Sequence, residues 1–518
     1  MNQGRFIARS ARYWGPRTAV IDGERTLTFR ELDRRSNRLA NALLGLGLAR
    51  GDRVSIVSWN RLELIELECA LYKAGLVKVA LNARLSPVEL VDALVNAEPA
   101  VLMVGPEHQA LVADLGERAG PIRHRVAIGT PVAGWLDYEA LIAAAAERNP
   151  DADMSADDLA VLHYTSGSTG KLKAAMQTVG NRMASLRKVV MGRMQAAPGD
   201  VLALSGPITH ASGMFMQPML HQGATVLLLD RFEPERLLRT IERHRVTMTY
   251  MVPAMINATV VDPALDRYDR SSLRLLSYGA APMAPARIRE AWERIGPVLA
   301  QGYGAGETTG GLIGLSIADH ARAIAGERPE LLASCGRPFG ESEVRLLADD
   351  GTEVAVGEIV EICVQGPDVF AGFWRAPELT AQALVGGWLR TGDLARCDDE
   401  GYIHIVDRKK EMIVSGGFTV YPTEVEQVLY RHPAVYEACV LGVPDDRWGE
   451  AVKAVVVLRD GARASEAELI EHCRGLLADF KKPRSVDFVA ELPKSSNGKL
   501  SRKDLKERYW AGRERRVN

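Results

Sequence analysis

No stretch of this sequence approaches the run of about eighteen apolar residues that a membrane-spanning helix needs. Cysteine is sparse: Cys69, Cys335, Cys363, Cys397, Cys439 and Cys473 stand apart, with no pair at metal or redox spacing. That argues against a zinc knuckle and a disulfide framework, and reads as buried small residues in a reducing compartment. An excess of either charge is also missing, with 64 Lys and Arg against 66 Asp and Glu. The electrostatic case for nucleic acid or an anionic membrane as main partner therefore falls away. The N-terminus has no signal-peptide h-region or cleavage site. Arg5, Arg9, Arg12 and Arg17 precede the first acid, Asp22, a bias shared with transit peptides but read here as the solvated face of a first helix. The expected location is cytoplasmic.

What is present is α/β alternation. Thr28-x-x-Glu31 is a capping box ahead of Leu32, Leu39, Leu43 and Leu44, and Gly45 and Gly47 end that helix. Val54–Val57 reads as a strand, Leu64–Ala74 as a helix and Leu76–Ala80 as a strand. Ser86-Pro87-Val88-Glu89 opens another helix, which leads to the strand Ala100–Val104. The pattern resumes later with strands at Ala224–Leu229, Val246–Val252 and Leu273–Ser277, and helices at Pro234–His244 and Ala286–Arg294. Residues 340–405 change to short β segments and turns. After the charge cluster Asp407–Glu411 a smaller unit follows, with a helix at Val425–Tyr430, strands at Ala434–Leu441 and Ala451–Leu458, and a helix at Glu466–Phe480. The expected fold class is α/β: a large N-terminal domain of parallel sheets with a small antiparallel β subdomain, then a small mobile α+β domain. The boundaries are 1–406, a hinge at 407–411, and 412–518.

The stretch with most chemistry is Tyr164–Lys173, behind the apolar run Leu159–Leu162. From Ser166 to Lys173 it packs three hydroxyls, two glycines and two lysines into eight positions. Glycines bring backbone N–H groups against an anion, and lysine adds a mobile positive charge. A Walker A loop is excluded, because only Ser168 and Thr169 separate Gly167 from Gly170-Lys171. A surface loop of small polar residues has the same composition, and the loop alone does not decide between them.

Read together, several blocks resemble the adenylate-forming superfamily, in its acyl- and aryl-CoA synthetase branch. They are Tyr164–Lys173, Pro207–Gly213, Ser277–Pro282, Gln301–Thr308, Gly357–Trp374, Trp388–Leu394, Tyr402–Glu426 and Leu492–Arg502. The resemblance implies two steps: a carboxylate and Mg-ATP give acyl-AMP and pyrophosphate, then a thiol, usually that of coenzyme A, displaces AMP. It implies that Thr165, Ser166, Gly167, Ser168, Thr169, Gly170 and Lys173 hold phosphates. Gln301, Gly302, Tyr303 and Gly306 flank the nucleotide, with Tyr303 stacking on adenine. Glu307 would bind Mg2+, a hard cation suited to oxygen ligands. Asp393 would accept both ribose hydroxyls, with Arg408 as its basic counterpart. Lys499 matches the lysine of adenylation, where a cation meets gathering negative charge. Lys410 matches the hinge position, and Gly416 and Gly417 the loop lining the pantetheine tunnel. His210 matches the gate of the acyl site.

The acyl pocket is expected to draw on Met214, Phe215, Met251, Val252, Tyr278, Gly279, Met283 and Gly302. Small residues at Gly279, Gly302 and Gly304 point to a carboxylate larger than acetate, and Met-rich walls suit an adaptable apolar cavity. No cation stands out that would pair with a second carboxylate. The chain departs from the superfamily at Gly306, where Thr is usual, and at Leu172 and Ala174, where Pro and Gly are usual. The resemblance implies that this Thr hydroxyl bonds an α-phosphate oxygen, and Thr308 and Thr309 are the candidates to replace it.

The expected partners are thus a small carboxylate, ATP and coenzyme A, with no nucleic acid and no membrane span; a carrier protein and a homodimer are both compatible. Three rivals remain: loading of a carrier-protein thiol, an enzyme restricted to the thiol step from preformed acyl-AMP, and a non-catalytic sensor of acyl groups or nucleotides.

Overall fold

The computed structural model describes residues 2–166, 172–445, 447–494 and 500–511. Four sheets organise them. The largest has nine strands, in the order Arg337–Pro338, Gly310–Leu315, Leu299–Ala305, Leu275–Gly279, Met248–Met251, Val201–Leu204, Thr225–Leu228, Thr18–Asp22 and Arg25–Thr28. Its middle is parallel, from Leu299–Ala305 across to Thr18–Asp22. A seven-stranded sheet runs Leu136–Asp137, His124–Ala127, Val101–Val104, Arg53–Val57, Val77–Ala80, Leu159–Ser166 and Leu172–Thr178, parallel up to its last pair. Both carry continuous Val/Leu/Met strands, as expected of sheets covered on two faces.

The helix starts follow the sequence signals. Glu31 N–H donates to Thr28 Oγ1 at 3.2 Å while Glu31 Oε2 accepts from Thr28 N–H at 2.8 Å, which opens the helix Phe29–Gly45. Ser86 and Glu89 repeat this ahead of Pro87–Ala97. The first helix, Gly4–Trp14, buries Ile7 and Ser10 against the large domain and leaves Arg5, Arg9 and Arg12 exposed. One helix, Leu62–Ala74, is buried on every side although it carries Glu63, Glu66, Glu68 and Lys73. Each charge is met from another element: Arg25 and Arg61 on Glu63, Arg35 on Glu66, Lys78 on Glu68, and Asp33 on Lys73. Removing one partner of such a buried pair costs far more than the pair itself contributes.

A five-stranded antiparallel sheet holds Glu343–Leu347, Val360–Gln365, Leu384–Val385, Trp388–Cys397 and Ile403–Arg408. The last sheet has Ile413–Ser415, Phe418–Val420, Val435–Asp445, Gly449–Leu458 and Ser485–Phe488, with the helices Pro422–Leu429 and Glu466–Arg474. The second of these helices ends six residues short of the expected Phe480. Gly475 stands at its C-cap, and Phe480 instead stacks on Phe418 with ring centroids 4.8 Å apart. The two parts meet where Arg287 Nη2 donates to the carbonyls of Val435 and Tyr436 at 3.2 and 3.1 Å. Among the described residues no helix is long and apolar enough to cross a membrane.

Candidate active site

The two sheets meet near the carboxyl ends of Leu159–Ser166 and Leu299–Ala305, where a Cβ at Gly306 would lie 3.1 Å from Thr165 Cγ2. In open α/β sheets such ends form the crevice where ligands bind. The hairpin of Leu299–Ala305 and Gly310–Leu315 carries Glu307 on its turn. Gly304 is required there, since a Cβ would lie 2.1 Å from the Gly310 carbonyl oxygen. Gly306 C=O accepts from Gln177 Nε2 at 2.9 Å, and Glu307 C=O from Phe370 N–H at 2.8 Å. The turn is held from beneath by a buried ion pair. Lys188 Nζ donates to Asp368 Oδ2 at 2.5 Å and to the Thr308 carbonyl at 2.8 Å.

Thr308 and Thr309, expected as substitutes for a hydroxyl at 306, point elsewhere. Thr308 Oγ1 accepts from Ala305 N–H and donates to the Gly310 carbonyl, both at 2.8 Å. Thr309, at φ 45°, donates to the Asp368 carbonyl at 2.7 Å. Both side chains are buried and committed to shaping the turn. What lies over Gly306 is His163: a Cβ at 306 would fall 2.8 Å from its Cδ2, and 3.1 Å from Thr165 Cγ2.

Asp393 and Arg408 sit directly opposite each other on paired strands. Asp393 Oδ1 accepts from Arg408 Nε at 3.0 Å, and Oδ2 from the Tyr303 hydroxyl at 2.6 Å. The Asp393 charge raises the Arg408 pKa above its usual value against the cost of burial. Burial first, and then Asp393, pushes the Tyr303 phenol well above its own. A carboxylate oxygen accepts two hydrogen bonds, so Tyr303 and Arg408 leave one acceptor position on each oxygen. Gln301, on the same strand as Tyr303, buries its Oε1 with no hydrogen-bond partner among the described residues.

Thr165 pairs with Lys173 where the strands Leu159–Ser166 and Leu172–Thr178 meet. Gly167, Ser168, Thr169, Gly170 and Lys171 lie outside the described residues, as does Lys499. Burial first, and then the charge of Lys410, lowers the Lys173 ammonium pKa, with Glu307 opposing. Lys173, Lys410 and Glu307 therefore share one electrostatic neighbourhood. Lys410 itself is exposed, just past the strand Ile403–Arg408.

On the acyl side, His210 Nδ1 lies 3.0 Å from Thr209 Oγ1, and its ring meets that of His163 edge-on at 5.3 Å. Phe215 packs on Tyr250 at 5.0 Å between centroids. Met214 lies between Gly310 and Arg182, whose Nη1 donates to its sulfur at 2.9 Å. Arg182 is buried behind Met214 and committed to Tyr72 and Glu68. Two of the expected wall residues lie in the core. Tyr278 is fully buried with its hydroxyl 2.9 Å from His320 Nε2, and Met251 joins it in the core beneath Pro234–His244 and Pro285–Ile295. Side chains alternate along a strand, and Tyr250, at the other parity from Met251, is the one that meets Phe215. Gly279 is no void either, because a Cβ there would lie 2.2 Å from the Gly302 carbonyl oxygen. Glycine at 279 and 304 serves close backbone approach, so it is no measure of pocket size.

In the C-terminal unit Gly416 has φ 59°, its N–H donates to the Trp448 carbonyl at 2.8 Å, and a Cβ would lie 2.3 Å from the indole. Gly417, at φ 84°, has open space at its Cβ position. Gly416→Ala is expected to destabilise the chain by about 1–3 kcal/mol through overpacking and left-handed strain. Gly417→Ala should cost only about 1 kcal/mol of backbone strain. Paired urea melts test this, and equal midpoints would contradict the role given to Trp448.

Among the described residues no group of three or more His, Cys, Asp and Glu could form a metal site. Glu307 alone fits a hard cation that takes its remaining oxygens from phosphate and water.

Comparison with known proteins places the chain in a family. Residues 7–374 match the family described as AMP-binding enzyme, and residues 424–499 match the AMP-binding enzyme C-terminal domain. The chain is 40% identical over 508 residues to a feruloyl-CoA synthase from an Amycolatopsis species, covering 98% of this chain and 99% of that one. It is 35% identical to the medium/long-chain-fatty-acid–CoA ligase FadD8 of Mycobacterium tuberculosis, covering 96% and 88%. The solved structure of the amide bond synthetase McbA from Marinactinospora thermotolerans superposes with a TM-score of 0.88 at 33% identity, covering 98% and 100%. The chain belongs to the AMP-binding enzyme family, as an acid–thiol ligase of the adenylate-forming superfamily.

Proposed function

We propose that this protein converts a medium-size or larger apolar or aromatic carboxylate to its acyl-CoA, through acyl-AMP, at the expense of ATP. The observation that carries this reading is Asp393, with one acceptor position per oxygen left after Tyr303 and Arg408, which matches a vicinal ribose diol. The aromatic class rests on the feruloyl-CoA synthase relative and on the packing of Phe215, in the short helix that follows His210, on Tyr250.

In the first step a carboxylate oxygen attacks the α-phosphorus, and pyrophosphate leaves with the electron pair of the broken P–O bond. Thr165, Ser166, Lys173 and the glycine-rich loop between them hold the leaving phosphates. Lys499 places its ammonium where charge gathers. Glu307 would hold Mg2+, which shields phosphate charge when bound. In the second step the coenzyme A thiol gives its proton to water, its sulfur attacks the acyl carbonyl, and AMP departs with the electron pair of the broken acyl C–O bond. Lys410, in the hinge 407–411, turns residues 412–518 between the steps, bringing Gly416 and Gly417 to the pantetheine arm. Asp407 links the two sides, its Oδ2 accepting from Thr423 N–H at 2.9 Å at the start of Pro422–Leu429.

The test is pyrophosphate release with Mg-ATP across aromatic, alicyclic and aliphatic carboxylates, with and without coenzyme A. Release with an acid, accelerated by coenzyme A, is expected. A second reading, an enzyme of the thiol step alone, is favoured by the absence of a hydroxyl at Gly306. It would give no pyrophosphate with any acid, yet thioester from synthetic acyl-AMP. Thioester formed only on a holo-carrier protein would replace coenzyme A as the acceptor.

A further inference from the structure

We propose that His163 supplies the hydrogen bond to the reacting acyl-phosphate oxygens that no side chain at position 306 supplies in this chain. The inference rests on the ligase reading above, and concerns how its first step is stabilised.

Geometry carries it. The imidazole occupies the volume into which a residue at 306 would project: a Cβ built on Gly306 falls 2.8 Å from His163 Cδ2 and 3.5 Å from Nε2. The ring thus brings a nitrogen to the place a side-chain donor on the Glu307 turn would otherwise reach. The other hydroxyls of that turn, Thr308 and Thr309, are bonded to backbone. His163 and Thr165 lie on one face of the strand Leu159–Ser166, and both face the Glu307 turn, each within 3.1 Å of the Cβ position at Gly306. On its other side the His163 ring meets His210 edge-on at 5.3 Å, at the mouth of the acyl residues. His163 therefore sits between the Glu307 turn and His210.

The strand also fixes the ring. His163 pairs with Ala80 on one side and Ala175 on the other, small neighbours that leave room for an imidazole. It is only 9% exposed, so a hydrogen bond from it to a charged oxygen meets little competition from water. A donor held in place before the reaction stabilises developing charge without reorganisation.

The test is carboxylate-dependent ATP–pyrophosphate exchange in the full-length protein, using the best acid from the panel. His163→Ala should lower kcat roughly 10- to 100-fold, the effect of losing one hydrogen bond to a charged group. The KM values for ATP and acid should stay within about threefold, as for an interaction that matters mainly in the transition state. His163→Gln, which keeps a side-chain N–H, should recover part of the loss. Gly306→Thr alone should be slower than wild type, because its Cβ meets the ring. The double variant His163→Ala/Gly306→Thr should exceed both singles, since each change makes room for the other. A purely structural histidine would not give that reversal. Should His163→Ala fold poorly in a thermal melt, the Gln variant and the double variant carry the comparison. Exchange by His163→Ala within threefold of wild type, or a double variant no better than the worse single, overturns the inference and leaves the ligase reading intact. A wild type silent with every acid overturns both.

Discussion

Asp393→Ala is expected to lower kcat/KM for ATP by roughly 10²- to 10⁴-fold, the equivalent of two charge-assisted hydrogen bonds to the ribose. The size follows from the double duty of the carboxylate. It is buried, and it holds the Tyr303 hydroxyl on one oxygen and Arg408 Nε on the other. The turn that presents it is itself fixed: Gly392, at φ 76°, donates its N–H to Glu361 Oε1 at 2.7 Å, and Asp393 N–H reaches Thr391 Oγ1 at 3.2 Å. Asp393→Asn should fare little better than Ala. One of its terminal atoms becomes an NH2 group facing a phenol or a guanidinium, and it no longer accepts from either. Tyr303→Phe removes one hydrogen bond and leaves the carboxylate, so its loss should be about tenfold or less. ATP–pyrophosphate exchange against ATP concentration ranks the three. An Asp393→Ala enzyme within tenfold of wild type would remove Asp393 from the nucleotide site.

The comparison of sequence and structure divides along a physical line. Local signals survived: both capping boxes open helices at the expected residue, and Pro234–His244 forms over its expected span. Relations across the fold were not visible. The helix Leu62–Ala74 carries four charged residues, and all are buried, because their partners Arg25, Arg35, Asp33 and Lys78 lie on other elements. Tyr278, in the block Ser277–Pro282, and Met251, outside every matching block, are both expected on the pocket wall. Strand parity turns both into the core, and parity needs the sheet register to be known. Gly279 and Gly304 read as space, whereas neighbouring carbonyls claim it. His163 went unnoticed because it looked like one more residue of a buried strand. The departure at Gly306 was readable, and a large side chain two residues before Thr165 was the signal that could have been joined to it. Asp393 and Arg408 were both legible as candidates, but their placement as direct cross-strand partners required the register.

Asp368 was not a sequence candidate at all, and Asp368→Ala is expected to produce the largest loss of stability, about 3–5 kcal/mol. Its carboxylate faces the Lys188 ammonium, and both side chains are almost wholly buried, at 3% and 2% exposure. Its other oxygen accepts from Ser342 Oγ, and its backbone carbonyl from Thr309. Asn181 Nδ2 donates to the carbonyls of Pro367 and Val369, each at 2.8 Å, so the segment is clamped on both sides of the aspartate. Truncation leaves a buried ammonium facing a cavity, the costly way to break an ion pair. Replacing both partners by apolar residues, as in Lys188→Met/Asp368→Leu, removes both charges and should restore much of the urea midpoint. Activity should not return with it. Lys188 also holds the Thr308 carbonyl, and so the turn that aims Glu307; methionine has no N–H to do so. Recovery of stability without recovery of ATP–pyrophosphate exchange would separate the two roles of the pair. If exchange returned along with the midpoint, the pair would matter only for folding. If Asp368→Ala moved the midpoint by less than about 1 kcal/mol, the burial argument itself would fail, since an unpaired buried ammonium costs several times that.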